Sequence, residues 1–136
     1  MKVLYAAYGS NLNLEQMARR CPSAAVYGKG MIKGYKLVFN GVASIEPEAD
    51  KEVPVGVWLI DEDCERSLDR YEGYPRLYRK KYIDVQMYNG ESVKCMVYVM
   101  NHGERAWPMK YYFDIIAQGY DEIGLDKRYL TEAMQF

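Results

Sequence analysis

The N-terminal stretch Val3-Leu4-Tyr5-Ala6-Ala7-Tyr8-Gly9-Ser10-Asn11 constrains the fold more than any other part of the chain. Its apolar and aromatic residues run without alternation, the pattern of a strand covered on both faces. Residues 2–8 are therefore expected to form a buried strand. Directly after it, Asn13 is a suitable helix N-cap, and Gln16 stands three residues on, as in a capping box. Leu14, Met17, Ala18 and Cys21 then recur at helical spacing until Pro22 stops the run. Gly9-Ser10-Asn11 is thus a strand-to-helix elbow, and a buried strand at its head requires partner strands and covering layers elsewhere.

The rest of the sequence offers them. Strands are expected at 24–31, 34–39 and 53–60, with glycines at the bends. Residues 45–54, charged and carrying two prolines, read as an exposed loop. Asp61 caps a short helix in which Cys64, Leu68 and Tyr71 share one face, and Gly73 and Pro75 end it. Residues 78–87 and 92–100 read as a hairpin joined through Asn89-Gly90. On its second strand Val93, Cys95, Val97 and Val99 face one way, and Lys94, Met96, Tyr98 and Met100 the other. Pro108 opens a last helical region with Tyr112, Ile115, Ile116 and Gly119 on one stripe, and Asp126 caps a short terminal helix. The expected fold class is α+β: a mostly antiparallel sheet curled into a small barrel with flanking short helices, in a single domain over 1–136.

Composition narrows the function. The 136 residues carry a net charge of −1, which speaks against a nucleic-acid footprint or a polybasic membrane patch. The basic run Arg76 to Lys81 is interrupted by apolar residues and reads as a solvated strand face. Three scattered cysteines, Cys21, Cys64 and Cys95, argue for a reducing compartment rather than a disulfide framework. The first apolar run is too short for a signal peptide, and no segment is long and apolar enough to span a bilayer. The expectation is a cytoplasmic protein, with a homodimer left open. Fourteen tyrosines against three phenylalanines suggest a partly wet interior lined with phenols, because a buried hydroxyl needs a partner.

Candidate chemistry is sparse. The single histidine, His102, sits beside Gly103 in a turn, a poor place for the base of a catalytic triad. Nucleophile elbows, paired metal-binding cysteines and phosphate-binding loops are lacking, so neither metal nor cofactor is expected. Two features remain. At the elbow, glycine lets backbone approach a ligand, and successive amides can hold an anion; a plain tight turn is the alternative. At a helix end, Glu72 lies between Tyr71 and Tyr74, where the helix dipole disfavours a carboxylate and excluded water would raise its pKa. The alternative there is a solvated glutamate on a turn.

Taken together, "YGSN", the downstream "LDRYEGYPRLYRKKYIDV" with its D-x-x-E-G core, "V-Y-V" and a late Pro-x-x-Tyr resemble the gamma-glutamylcyclotransferase-like, or AIG2-like, family over essentially the whole chain. The resemblance implies that the elbow Tyr8, Gly9, Ser10 and Asn11 cradles a glutamyl group and that Glu72 is the catalytic base and acid. It also carries substrate-contacting tyrosines onto Tyr78, Tyr98 and Tyr111, with Tyr74 and Tyr82 competing for the place of Tyr78. The implied reaction needs no enzyme nucleophile. The substrate's own alpha-amine attacks the gamma-carbonyl, giving 5-oxoproline and a free amine. A binding protein of the same fold and an amidohydrolase using water stand as alternatives.

Overall fold

The structure is a computed structural model and describes residues 2–136. Strand β1 (Val3–Ala7) explains why its sequence does not alternate: it has a neighbour on each edge and cover on both faces. It pairs antiparallel with β3 (Ala43–Ile60), from Val3 opposite Ile60 to Ala7 opposite Gly56. On its other edge it runs parallel to β5 (Ser92–Met100), with Tyr5 opposite Met96. Tyr5, Ala6 and Ala7 are consecutively buried.

The long β2 (Ala25–Phe39) pairs antiparallel with β3 and, at Gly30 and Met31, with β4 (Tyr78–Met87). β4 and β5 form an antiparallel hairpin from Tyr78 opposite Met100 to Gln86 opposite Ser92. The ring β1-β3-β2-β4-β5 closes into a barrel, which removes free sheet edges. Helices α1 (Leu14–Arg20), α2 (Glu62–Glu72), α3 (Lys110–Ile123) and α4 (Arg128–Ala133) complete the element order. The expected α+β barrel with short helices is the observed fold.

Two expectations are corrected. Residues 45–54 are not a loop. Tyr35 pairs with Pro47 and Lys33 with Glu52, so both flanks belong to β3, and only the residues between them bulge outward opposite Gly34. The charges there sit on an exposed ribbon, which alternation and prolines alone do not distinguish from a loop. By the same pairing, the strands expected at 24–31 and 34–39 are one strand with a register shift. Secondly, Cys21 and Cys64 form a disulfide, with Cα atoms 4.9 Å apart, while Cys95 is free and buried. The topology, not sequence spacing, brings the C-terminal end of α1 against the first turn of α2.

The hairpin parity holds, but both of its faces are covered: Cys95, Met96, Val97, Tyr98 and Val99 are all buried. Among the described residues no helix is long and apolar enough to cross a membrane.

Candidate active site

The elbow is held from three sides. Asn13 caps α1 by accepting from the Gln16 amide at 3.1 Å, and its Nδ2 donates to the Ile115 carbonyl of α3 at 3.1 Å. Helix α3 approaches so closely at Gly119 that an added Cβ would lie 2.7 Å from the Asn13 nitrogen and from Leu12. From below, the Trp58 indole of β3 donates to the Asn11 carbonyl at 3.1 Å. Between β1 and α1, Ser10–Leu12 makes one 3-10 turn, closed by the Leu12 amide donating to the Gly9 carbonyl at 3.0 Å. The amides of Gly9, Ser10 and Asn11 donate to no other group among the described residues.

The elbow's side chains, by contrast, are fully engaged. Tyr8 Oη donates to the Tyr98 carbonyl at 2.6 Å. Ser10 Oγ and Tyr71 Oη share a hydrogen bond of 2.9 Å. Asn11 Nδ2 donates to Tyr5 Oη at 2.9 Å, and its Oδ1 accepts from Arg20 at 2.6 Å. Arg20 also donates to Gln16 and lays its guanidinium 3.5 Å from the centre of the Tyr71 ring.

Helix α2 delivers Glu72. Asp61 caps it by accepting from the Cys64 amide at 2.8 Å, and the disulfide ties the same turn to α1. Farther along, Asp69 accepts from Tyr98 Oη at 2.6 Å and pairs with Lys80 of β4 at 3.0 Å. The helix then stops at Gly73, whose φ of 67° is left-handed, a conformation glycine adopts without steric cost. Glu72 is therefore the last helical residue. Its carboxyl accepts no hydrogen bond among the described residues, and burial pushes its pKa up to about 7 against a weaker opposing pull from Arg20.

Glu72 and the elbow line one cavity of about 200 Å³, together with Tyr5, Tyr71, Tyr78, Tyr98 and Tyr112. Burial raises the pKa of Tyr5, Tyr8, Tyr78, Tyr98 and Tyr112, so these phenols stay protonated. Where each proton goes then divides them. Tyr8, Tyr78 and Tyr98 spend theirs on the Tyr98 carbonyl, the Ala43 carbonyl and Asp69. Tyr5 instead accepts from Asn11, and Tyr112 accepts from the Ala43 amide at 3.0 Å. The last two hydroxyls keep a proton to donate.

Of the residues singled out in the sequence, Tyr8, Gly9, Ser10, Asn11, Glu72, Tyr78 and Tyr98 come together at this cavity. Tyr111 does not. It is 74% exposed, because helical geometry turns it away from the stripe that carries its neighbour. Tyr112 takes the place, and its position on the stripe with Ile115, Ile116 and Gly119 was the available signal. The competing Tyr74 and Tyr82 are exposed as well. Tyr5 and Tyr71 carried no signal, since each reads as an ordinary core or helix-face residue. No cluster of three or more His, Cys, Asp or Glu able to hold a metal ion occurs among the described residues.

Comparison with known proteins gives this geometry a family. The model of the family described as gamma-glutamyl cyclotransferase, AIG2-like, matches residues 5–115. The gamma-glutamylcyclotransferase of Homo sapiens is 33% identical over 139 residues, covering 93% of this chain and 74% of the relative. That of Mus musculus is 32% identical with the same coverage. A solved gamma-glutamyl cyclotransferase superposes with a TM-score of 0.91 at 30% identity, over 100% of this chain and 88% of that one. YkqA from Bacillus subtilis, at 21% identity and a TM-score of 0.83, covers 98% of this chain and 54% of its own, and shares the fold. The chain belongs to the AIG2-like gamma-glutamyl cyclotransferase family.

Proposed function

We propose that this chain is a gamma-glutamylcyclotransferase that closes the glutamyl group of a small gamma-glutamyl compound into 5-oxoproline, with Glu72 as the proton carrier. The observation that carries the reading is one unpartnered carboxyl, held at about 7 by burial, in the same cavity as three uncommitted backbone amides. A group with such a pKa is competent as both base and acid near neutral pH.

The amides of Gly9, Ser10 and Asn11 suit the substrate's alpha-carboxylate, which they would hold by charge-assisted hydrogen bonds. With the carboxylate fixed there, the alpha-ammonium would be offered to Glu72, which lines the same cavity. Glu72 takes a proton from it, and the freed amine attacks the gamma-carbonyl carbon. A carbon–nitrogen bond forms, closing the five-membered ring. Negative charge then develops on the carbonyl oxygen, where the spare protons of Tyr5 and Tyr112 serve as donors. As the bond to the leaving nitrogen breaks, protonated Glu72 returns its proton there. Glu72 then takes the second surplus proton from the ring nitrogen and passes it to the departing amine, so that of the three ammonium protons one stays on the lactam nitrogen and two leave with the amine as an ammonium ion. Tethering nucleophile and electrophile in one molecule replaces a bimolecular encounter, worth effective molarities of about 10⁵ M or more. This supports a site without an enzyme nucleophile. Tyr8, Tyr78 and Tyr98, with their protons spent, present lone pairs to the ammonium.

The test is product identity. Purified protein incubated with gamma-glutamyl amides should release 5-oxoproline and free amine in equal amounts. Glutamate in place of 5-oxoproline would identify a hydrolase using water, and binding without turnover would identify a ligand-binding protein.

A further inference from the structure

The cavity's opening is chemically unlike its interior. Two lining residues, Val42 and Leu77, are at the same time 37% and 56% exposed, so they mark the mouth. Val42 comes from the turn between β2 and β3, and Leu77 from the segment between α2 and β4. Tyr71, 45% exposed, adds an aromatic edge. Its hydroxyl is bound to Ser10 and its ring lies against Arg20, so it is fixed in place.

Charge sharpens the contrast. Glu72 is the one formally charged side chain among the lining residues. Of the cations around the aromatic rim, Arg20 is committed to Asn11 and Gln16 and Lys80 to Glu65 and Asp69, and Arg76, next to Leu77 in the chain, is not among the residues that line the cavity. A leaving group with its own carboxylate would meet aliphatic side chains and, deeper in, a second carboxylate. A leaving group with a distant ammonium would find no acidic partner at the mouth. Neither charge would find an ionic partner among Val42, Leu77 and Tyr71, and the part of it drawn out of solvent would lose hydration without compensation. An alkyl or aryl group would instead cover Val42 and Leu77 and remove apolar surface from water.

We propose that the mouth formed by Val42, Leu77 and Tyr71 is a leaving-group subsite for a neutral, apolar amine, so that the preferred substrates are gamma-glutamyl alkyl or aryl amides. This rests on the cyclotransferase reading and specifies its substrate class.

The experiment compares kcat/KM for 5-oxoproline release from gamma-glutamylbenzylamide, gamma-glutamylmethylamide, gamma-glutamylalanine and gamma-glutamylputrescine. The benzylamide should lead each of the others by at least about tenfold, the discrimination an apolar pocket gives for missing methylenes. Leu77→Ser, a change at an exposed position, should reduce the benzylamide-to-methylamide ratio by about tenfold, and Leu77→Met should restore most of it. Equal or better turnover of the alanine or putrescine compound would overturn the inference while leaving the cyclotransferase reading intact. A loss of the alanine rate on Arg76→Ala would show that a carboxylate is captured beside Leu77, with the same consequence. An unchanged substrate ratio in Leu77→Ser would also overturn it. Failure of all four compounds to yield 5-oxoproline would strike the cyclotransferase reading itself.

Discussion

At the elbow every polar side chain is committed, whereas at the end of α2 the Glu72 carboxyl accepts no hydrogen bond among the described residues. Tyr8, Ser10 and Asn11 spend their side chains on Tyr98, Tyr71, Tyr5 and Arg20, and the amides of Gly9, Ser10 and Asn11 are left without a partner among the described residues. Glu72 reverses this. Its backbone finishes a helix, and its side chain stands unpaired among phenols. The difference separates two jobs. A binding surface made of backbone survives side-chain variation and is broken by steric intrusion. A single reactive carboxyl is costly to bury, and removing it should harm function while relieving the fold.

The largest expected effect follows from that cost. Glu72→Gln should lower kcat by about 10²–10⁴-fold, the range of general acid–base catalysis. The same variant should be more stable than the parent above pH 7. In the unfolded chain the carboxyl titrates at its ordinary 4.5, and in the folded protein at about 7. A raised pKa means that stability present below 4.5 is lost as pH rises toward 7, by up to about 3 kcal/mol. Urea denaturation at pH 8 should show the gain, and at pH 4 it should vanish. A variant that loses stability at pH 8 would break the contrast between the two regions.

Next comes intrusion at the elbow. An added Cβ at Gly9 would stand 3.4 Å from Ala43 and 3.5 Å from Tyr112 Oη, and the rest of a valine side chain would fill the space before the amides. Gly9→Val should raise KM by roughly 10- to 100-fold, the loss of one or two charge-assisted hydrogen bonds, with far less change in kcat. A fall in kcat at constant KM would put the elbow's role in chemistry rather than binding.

A smaller effect is expected where α3 supports the elbow. Gly119→Ala pushes a methyl into Leu12 and the Asn13 amide, and overpacking of this kind costs about 1–3 kcal/mol. Thermal denaturation would measure it, and an unchanged midpoint would show that the contact can relax.

The smallest links the two regions. Arg20 stacks on Tyr71, orients Asn11 and holds the Glu72 pKa down against burial. Arg20→Gln should shift the rising limb of the pH–rate profile to higher pH, so the rate at pH 7 falls several-fold. Arg20→Lys keeps the charge but loses the planar fork, and should restore the limb more fully than the geometry at Asn11. If neither variant moves the limb, the two regions are electrically independent.

How much of this was legible in the sequence follows from the range of the interactions. The elbow was readable because strand, turn, cap and helix lie within twenty residues, and each leaves a local pattern. Glu72 was readable as a helix-end carboxylate between aromatic residues, although its burial depends on the barrel beneath α2. The spacing from Pro108 points to Tyr111, whereas the helical stripe points to Tyr112, the residue that lines the cavity. The disulfide was missed because Cys21 and Cys64 are joined by topology across a separation of 43 residues, which leaves no spacing signal. Residues 45–54 look like a loop in sequence because an exposed two-stranded ribbon and a loop share the same charged, proline-bearing composition.

The account rests on Glu72 as the proton carrier, and the pH dependence of kcat/KM for 5-oxoproline release tests it most directly. The account predicts a rate rising about tenfold per pH unit on the acid side and levelling off near pH 7, the value to which burial moves this carboxyl. A limb centred at the ordinary carboxylate value of 4.5, or a rate that does not change between pH 5 and 8, would contradict it.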